Sequence, residues 1–167
     1  MWNEAMLRLL LRGIGETFYM TLGSTLFAYI IGLPLGLLLV VCAPDGLMPK
    51  RAFYQALDIF VNLTRSVPFL VLMISVIPFT RLIVGTSIGS TAAIVPLVIS
   101  AAPFVARLVE SSIREVDAGV VEAAQSMGAS PFQIMTKVLL PEATPSLLLG
   151  FAIAVTTILG YSAMAGI

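Results

Sequence analysis

Apolar residues run along this chain in long uncharged stretches, and these stretches predict membrane-spanning helices. No Asp, Glu, Lys or Arg occurs in residues 17–44, 82–106 or 143–167. Each stretch exceeds the ~20 apolar residues that a helix needs to cross the ~30 Å hydrocarbon core of a bilayer. A further stretch, residues 59–80, contains one charge, Arg65. The pattern therefore predicts four spans.

The spans are expected to be helices, because lipid offers no partners for unpaired backbone N–H and C=O groups. The alternating apolar and polar pattern of a membrane barrel strand does not occur along the sequence. We therefore expect an all-α membrane protein, a kinked helix bundle with a single transmembrane domain over residues 1–167. The predicted spans are residues 17–43, 55–80, 85–108 and 145–167, and the predicted loop outside the membrane is residues 109–144.

The polar interval near the middle of the chain carries its own helix signals. Asp117 can cap a helix with apolar residues at helical spacing, and Gly128 can end that helix in the left-handed conformation. Ser130 and Gln133 then have the spacing of a capping box that starts a second helix. The interval therefore predicts two short amphipathic helices joined at a glycine hinge.

The end of the second helix is also predicted by local signals. Pro141 lacks a backbone N–H and is expected to stop the helix. Thr144 and Pro145 are then expected to supply the N-cap and N1 positions of the last span.

Each helix of this pair presents an apolar face that needs a partner. A helix on a membrane surface usually carries several bases on its polar face, whereas Lys137 is the only base between Asp117 and Glu142. Docking into a groove of a soluble subunit fits a capped, weakly charged pair. Packing against the chain's own helix ends fits equally, so the pattern leaves both interpretations open.

Proline and glycine positions indicate bent, closely packed helices. Glycines spaced four residues apart, Gly32 with Gly36 and Gly85 with Gly89, are expected to let helix backbones approach closely. Prolines inside the predicted spans are expected to kink them around a pathway. These prolines are Pro34, Pro68, Pro78, Pro96 and Pro103.

Composition narrows the possible functions. Apolar residues make up 59% of the chain and charged residues 11%, against about 45–50% and 25% in soluble domains. Nine basic residues balance nine acidic ones, so nucleic acid is not an expected partner. The chain has no histidine and one cysteine, Cys42, and it lacks the G-x-x-x-x-G-K-[ST] phosphate loop. We therefore predict no catalytic residue, no metal and no cofactor, and any ATP hydrolysis would belong to another subunit.

The polar interval resembles the coupling loop of ABC importer permeases, which contacts the ATPase of those transporters. The family pattern is E-A-A, three residues, G, nine residues, I, one residue and L-P, and this chain has Val138 at the isoleucine position. The resemblance implies that the other matching residues couple the chain to an ATPase. These residues are Glu122, Ala123, Ala124, Gly128, Leu140 and Pro141.

Other stretches, including RSVPFLVLMISVIPFTRLIVGTSIG and AAPFVARLVE, resemble the methionine importer permeases of this family over nearly the whole chain. The resemblance implies a type I importer permease for D- or L-methionine or related amino acids, in the inner membrane of a bacterium. It also implies a homodimer, a cytoplasmic ATPase subunit and an extracytoplasmic methionine-binding protein as partners, beside membrane lipid. Such permeases have a fifth core helix where this chain has four spans, so we expect the chain to be a fragment.

The resemblance places the two-helix interval in the cytoplasm and the N-terminus on the extracytoplasmic side. The positive-inside rule agrees in sign, because more bases then lie inside than outside. Those inside are Lys50, Arg51, Arg107, Arg114 and Lys137, and those outside are Arg8, Arg12 and Arg81.

Four residues in the spans are candidates for the pathway or its gate. Arg65 is a charge in an apolar span, which indicates either a pathway role or anchoring at the interface, with Asp58 as a candidate partner. Tyr161, Ser162 and Met164 lie among small residues in the last span. A flexible thioether such as Met164 could plug a pathway or pack in the core.

Other classes of function fit less of the sequence. A secondary carrier would need acidic residues or histidine near the membrane midplane, and the charge-poor stretches contain neither. A non-transport membrane scaffold would fit the spans but gives no reason for an ATPase-coupling motif. An ABC permease for a different small amino-acid-like substrate fits all the motifs.

Overall fold

The computed structural model describes residues 4–165, and every regular element within this range is helical. The predicted all-α fold is therefore confirmed. In chain order the elements are α1 (Glu4–Cys42), α2 (Arg51–Ser66), α3 (Phe69–Ser75), α4 (Ile77–Val84), α5 (Ser90–Arg114), α6 (Ala118–Ser126), α7 (Pro131–Ile134), a π-helix (Met135–Leu139), α8 (Leu140–Glu142) and α9 (Thr144–Ala165).

Among the described residues, α1, α5 and α9 are long and apolar enough to cross a membrane. Helix α1 begins at Glu4, well before the predicted start of the first span at residue 17. Its first turns carry two ion pairs at i,i+4 spacing, Glu4 with Arg8 and Arg12 with Glu16, which support a helix outside the apolar stretch.

The segment predicted as one span over residues 55–80 is broken. Helices α2 and α3 meet at an angle of 103°, so the described chain has three spans, or four if this bent pair is one span. Val67 is extended at the break, with φ −81° and ψ 125°, because a following proline disfavours the helical conformation. Pro68 and Pro78 thus stand at the starts of α3 and α4, whereas Pro34 lies inside α1.

The most extensive helix contact joins α1 to α5. Gly32 and Gly36 are buried in it, and a Cβ on Gly36 would lie 2.6 Å from the carbonyl oxygen of Ala106. The prediction of close backbone approach is therefore confirmed for this pair, because only a residue without a side chain fits.

The second glycine pair has a different role. Gly85 has φ +81° and Gly89 has φ +103°, and a Cβ on either residue would meet no other atom within 4 Å. The prediction that they allow close packing is wrong within the described chain. Both glycines instead shape the turn between α4 and α5, where positive φ favours glycine.

One apolar core connects the long helices with the polar interval. Val105, Val109 and Ile113 of α5 are at most 2% exposed and pack with Ala154 and Ile158 of α9. The same cluster includes buried residues from the interval between α5 and α9, namely Ala124, Ile134, Leu139 and Ala143. The short helices are therefore fixed to the ends of the long ones.

Candidate functional site

Residues 117–141, which we call the two-helix loop, form the helix pair that the sequence predicts. Asp117 caps α6, accepting a hydrogen bond from the N–H of Gly119 at 2.7 Å. Gly128 follows α6 with φ +78°, as predicted for a left-handed helix end. Ser130 and Gln133 form both hydrogen bonds of the capping box at the start of α7. These local predictions are confirmed.

The end of the second helix differs from the prediction. Pro141 does not stop it, since α7 continues through the π-helix into α8 and, after Ala143, into α9. The N–H of Leu140 donates to the carbonyl of Met135, five residues earlier. A proline ring clashes with the carbonyl four residues before it, and a wider turn removes that clash. Thr144 is not a side-chain cap either, because its Oγ1 donates to the Leu140 carbonyl at 2.9 Å.

The two faces of the two-helix loop differ. The inner face packs on the long helices through Ala124 and Ile134, which are 4% and 1% exposed. The outer face presents Met127 and Phe132, which are 81% and 75% exposed. Packing against the chain itself is confirmed for the inner face, whereas docking of the outer face to a soluble subunit stays a prediction.

The residues of the family pattern differ in burial. Glu122, Ala123 and Gly128 are exposed, and a Cβ on Gly128 would meet nothing within 4 Å. Ala124 lies on the inner face. Leu140 and Pro141 lie in α8, half-buried and exposed respectively. Helix α6 contacts α7 and the π-helix, so the pattern is assembled in one compact loop.

The pathway candidates are not brought together. Arg65 lies on α2, with its guanidinium carbon 5.9 Å from the centre of the Phe104 ring on α5. On α9, the Tyr161 ring stacks on Phe69 of α3 at 4.8 Å between centroids. The Ser162 hydroxyl is buried and donates to the Leu159 carbonyl of its own helix.

Met164, the remaining candidate, is 46% exposed. Its exposure contrasts with the buried Ser162 two residues earlier. The side chain is therefore available to contact lipid, a pathway or another chain.

A network of ion-paired side chains lies beside the two-helix loop, and the sequence did not predict it. Glu110 of α5 accepts from Arg107 at 2.5 Å and from Arg114 at 3.2 Å. Arg107 also donates a hydrogen bond to Asp58 of α2. Arg114 donates to Asp45, in the turn after α1, at 3.1 Å. The network thus joins α2, α5 and the α1–α2 turn.

The partner predicted for Arg65 is therefore wrong, because Asp58 pairs with Arg107 instead. Asp58 and Arg65 are separated by about two helical turns, roughly 10 Å along the axis, whereas the contact between α2 and α5 brings Arg107 beside Asp58. The spacing of Arg107, Glu110 and Arg114 at i, i+3 and i+7 was the available signal for the α5 part of the network.

Burial makes Glu110 the central member of this network. Its side chain is 8% exposed, against 18% for Arg107 and 38% for Arg114. A carboxylate removed from water is costly unless it is paired and hydrogen-bonded. Two arginines meet that requirement here. A second polar link lies nearby, where the hydroxyl of Ser146 on α9 donates to Glu115 at 2.7 Å.

Known proteins share both this sequence and this fold. Residues 32–167 match the family described as "Binding-protein-dependent transport system inner membrane component". The D-methionine transport system permease protein MetI of Salmonella typhi is 52% identical over 164 residues, which cover 98% of this chain and 76% of that protein. The protein of the same name from Escherichia coli (strain K12) is 50% identical over the same shares.

A solved structure extends the similarity to the fold. The inward-facing MetNI methionine ABC transporter contains a chain that superposes with a TM-score of 0.96 at 50% identity, covering 99% of this chain and 76% of that one. The helix order, the broken second segment and the two-helix loop described above thus fit a known permease architecture. The chain belongs to the family of binding-protein-dependent transport system inner membrane components.

Proposed function

We propose that this chain is the transmembrane permease subunit of an ATP-driven importer for methionine, in the D or L form, and for related amino acids. The similarity to methionine permeases over nearly all of its length supports this substrate. In this proposal two copies of the chain form the translocation pathway in a bacterial inner membrane. A separate ATPase supplies the energy, and an extracytoplasmic binding protein delivers the substrate.

The proposed orientation places the two-helix loop in the cytoplasm and the N-terminus on the other side. The excess of bases on the loop side supports it. The ion-pair network lies on the same side of the bundle as the two-helix loop, where charged side chains reach water more readily than at the bilayer centre.

The outer face of the two-helix loop carries the proposed coupling function. Met127 and Phe132 are the most exposed apolar side chains of this loop, and its inner face is fixed to α5. An exposed apolar pair on a rigid support fits the groove of a soluble subunit. Glu122, Ala123 and Gly128 are exposed as well, and with Leu140 and Pro141 they complete the proposed coupling element.

The proposed pathway elements lie in the last helix. Tyr161, Ser162 and Met164 occupy its end, and the stack of Tyr161 on Phe69 ties that end to α3. Arg65 is proposed to anchor α2 rather than to line the pathway, because its guanidinium group lies over the Phe104 ring.

Co-purification tests the coupling proposal. The complete chain and an ATPase subunit of a methionine importer would be co-expressed, and the complex recovered through a tag on the ATPase. We expect Phe132→Ser and Met127→Ser to lower recovery of the chain, since each removes an apolar anchor. Ser126→Ala is the control, because the Ser126 hydroxyl donates to the Glu122 carbonyl of the same helix. Equal recovery of all variants would contradict docking through this face.

Uptake tests the substrate. Proteoliposomes that contain the complex and a methionine-binding protein are expected to accumulate methionine only with ATP inside. Accumulation of a different amino acid, with no accumulation of methionine, would contradict the substrate and leave the coupling proposal standing.

A further inference from the structure

The ion-pair network crosses from α5 to two separate parts of the chain. The contact between Arg107 and Asp58 spans 49 residues, and that between Arg114 and Asp45 spans 69. Glu110 is hydrogen-bonded to both arginines and is the most buried member. The network therefore acts across tertiary contacts and does more than stabilise one helix.

The same part of α5 supports the two-helix loop. Val109 and Ile113 flank Glu110 in the sequence, and both pack in the cluster that holds Ala124 and Ile134 of the loop. One face of this helix end thus contacts the loop through apolar side chains. Another face contacts α2 and the α1–α2 turn through charges.

Beyond the C-terminal end of α2 the chain meets a different environment. Helix α2 stops at the extended residue Val67, and α3 then leaves at 103°. Phe69 of α3 is buried and stacks on Tyr161 of α9, in a cluster with Met20 and Leu97. The broken segment is therefore attached to α5 along α2, through Asp58 and Arg65, and to α9 and the middle of the bundle through α3.

We propose that Glu110 is a positioning residue that joins α2 to the two-helix loop as one rigid unit, so that displacement of the loop is delivered to the joint at Val67 and Pro68. This inference rests on the proposed coupling function. Pairing with two arginines orients the Glu110 carboxylate. The same residue thereby holds Arg107, which pairs with Asp58, and Arg114, which pairs with Asp45. The joint, which has no helical hydrogen bond across it through Pro68, is where the angle between α2 and α3 changes.

A 340 Å³ cleft beside the loop supports this division of roles. It is lined by Asp45 and Gly46 of the α1–α2 turn, by Arg114, and by Glu122 and Gln125 of α6. The turn and α6 thus face each other across open space, and the pair of Arg114 with Asp45 lies at its edge. The pair of Arg114 with Asp45 thus adds a charged contact to the apolar contact that Leu47 of the turn makes with the core cluster.

Distance measurements between spin labels test the rigid unit. In a Cys42→Ala background, one pair of labels joins Ala52→Cys on α2 to Lys137→Cys in the two-helix loop, and a second joins Ala52→Cys to Ile74→Cys on α3. Both distances are measured in the complex with the ATPase, first without nucleotide and then after trapping with ATP and vanadate. We expect the first distance to stay constant and the second to change.

Glu110→Gln tests the role of the central carboxylate. In this variant we expect the first distance to change on trapping, and methionine uptake per ATP hydrolysed to fall about tenfold, because a buried charged hydrogen-bond network is lost. Asp58→Asn is the second variant. It removes one arm at a less buried position and is expected to give the same change in distance with normal expression. Glu16→Gln is the matched control, since its pair with Arg12 joins no two elements.

The outcomes separate the two proposals. A first distance that changes in the unsubstituted complex, or uptake per ATP within twofold of normal in both variants, would overturn the role of Glu110 while the ATPase still co-purifies. Loss of the ATPase from both variants would also overturn it, because the network would then serve assembly. Failure of the unsubstituted chain to bind the ATPase would overturn the coupling function together with this inference.

Discussion

Gly32 on α1 lies so close to α5 that a Cβ on residue 32 would be 2.6 Å from the carbonyl oxygen of Ala102. It would also lie 2.7 Å from the Cβ of Val105. These neighbours are a backbone oxygen and a branched side chain at its root, so no change of rotamer removes the overlap. The spacing of the two longest helices is therefore set by the absence of a side chain at this position.

Gly32→Ala is expected to destabilise the chain. Forcing a methyl group into a packed contact costs about 1–3 kcal/mol, and the thermal midpoint of the detergent-purified protein should fall. Gly15→Ala is the control, because a Cβ there meets nothing within 4 Å and alanine favours a helix by about 0.5–1 kcal/mol over glycine. Equal midpoints for the two variants would contradict the packing argument.

Gly128→Leu is expected to uncouple ATP hydrolysis from methionine uptake. Residue 128 has φ +78°, a conformation that costs a side-chain-bearing residue about 1–2 kcal/mol, so leucine should change the angle between α6 and α7. Gly128→Asn should keep more uptake, because asparagine tolerates this conformation better. The measurement is uptake per ATP in proteoliposomes, and unchanged uptake by the leucine variant would refute the prediction.

Arg65→Gln is expected to keep normal uptake and to lower the thermal midpoint slightly. The interaction with Phe104 should contribute about 0.5–1 kcal/mol, as cation–π pairs do at exposed positions. Phe104→Leu removes the other partner, and the double variant should lose less than the sum of the single losses. Loss of uptake in Arg65→Gln at normal expression would instead assign the residue to the pathway.

Met164→Ala is expected to raise the resting permeability of proteoliposomes to methionine if this side chain closes the pathway. The substitution should affect folding little, since the side chain is already 46% exposed. Leu148→Ala, at a 64% exposed position nearer the start of the same helix, is the control. Unaltered permeability in the methionine variant would remove Met164 from the gate.

Features that depend on neighbouring residues could be predicted from the sequence. The cap at Asp117 and the capping box of Ser130 and Gln133 involve hydrogen bonds across two or three residues, so the pattern itself specifies them. The long apolar helices could likewise be predicted from the sequence pattern. In the case of Gly32 and Gly36, the spacing alone identified a close helix contact, although not its partner.

Features that depend on the tertiary arrangement could not be predicted. The ion pair of Arg107 with Asp58 requires α2 to pack beside α5. The sequence instead predicted Arg65, on the same helix as Asp58, as the partner of Asp58. The exposed state of Met127 and Phe132 depends on which face of the loop packs on α5. The break after Val67 was not predicted, because a proline inside a span can equally kink a helix.

The π-helix before Pro141 holds one more residue per turn than its flanking segments, and this has a consequence for the angular phase of the chain. Each residue of an α-helix advances about 100° around the axis. Deleting Thr136 alone would let the turn close as an ordinary α-helix with one residue fewer, and the side chains from α8 onward would then keep nearly the same angular position relative to α7. The wider turn thus absorbs one surplus residue, so that Ala154 and Ile158 of the last span still face the bundle while the two-helix loop keeps Phe132 facing outward.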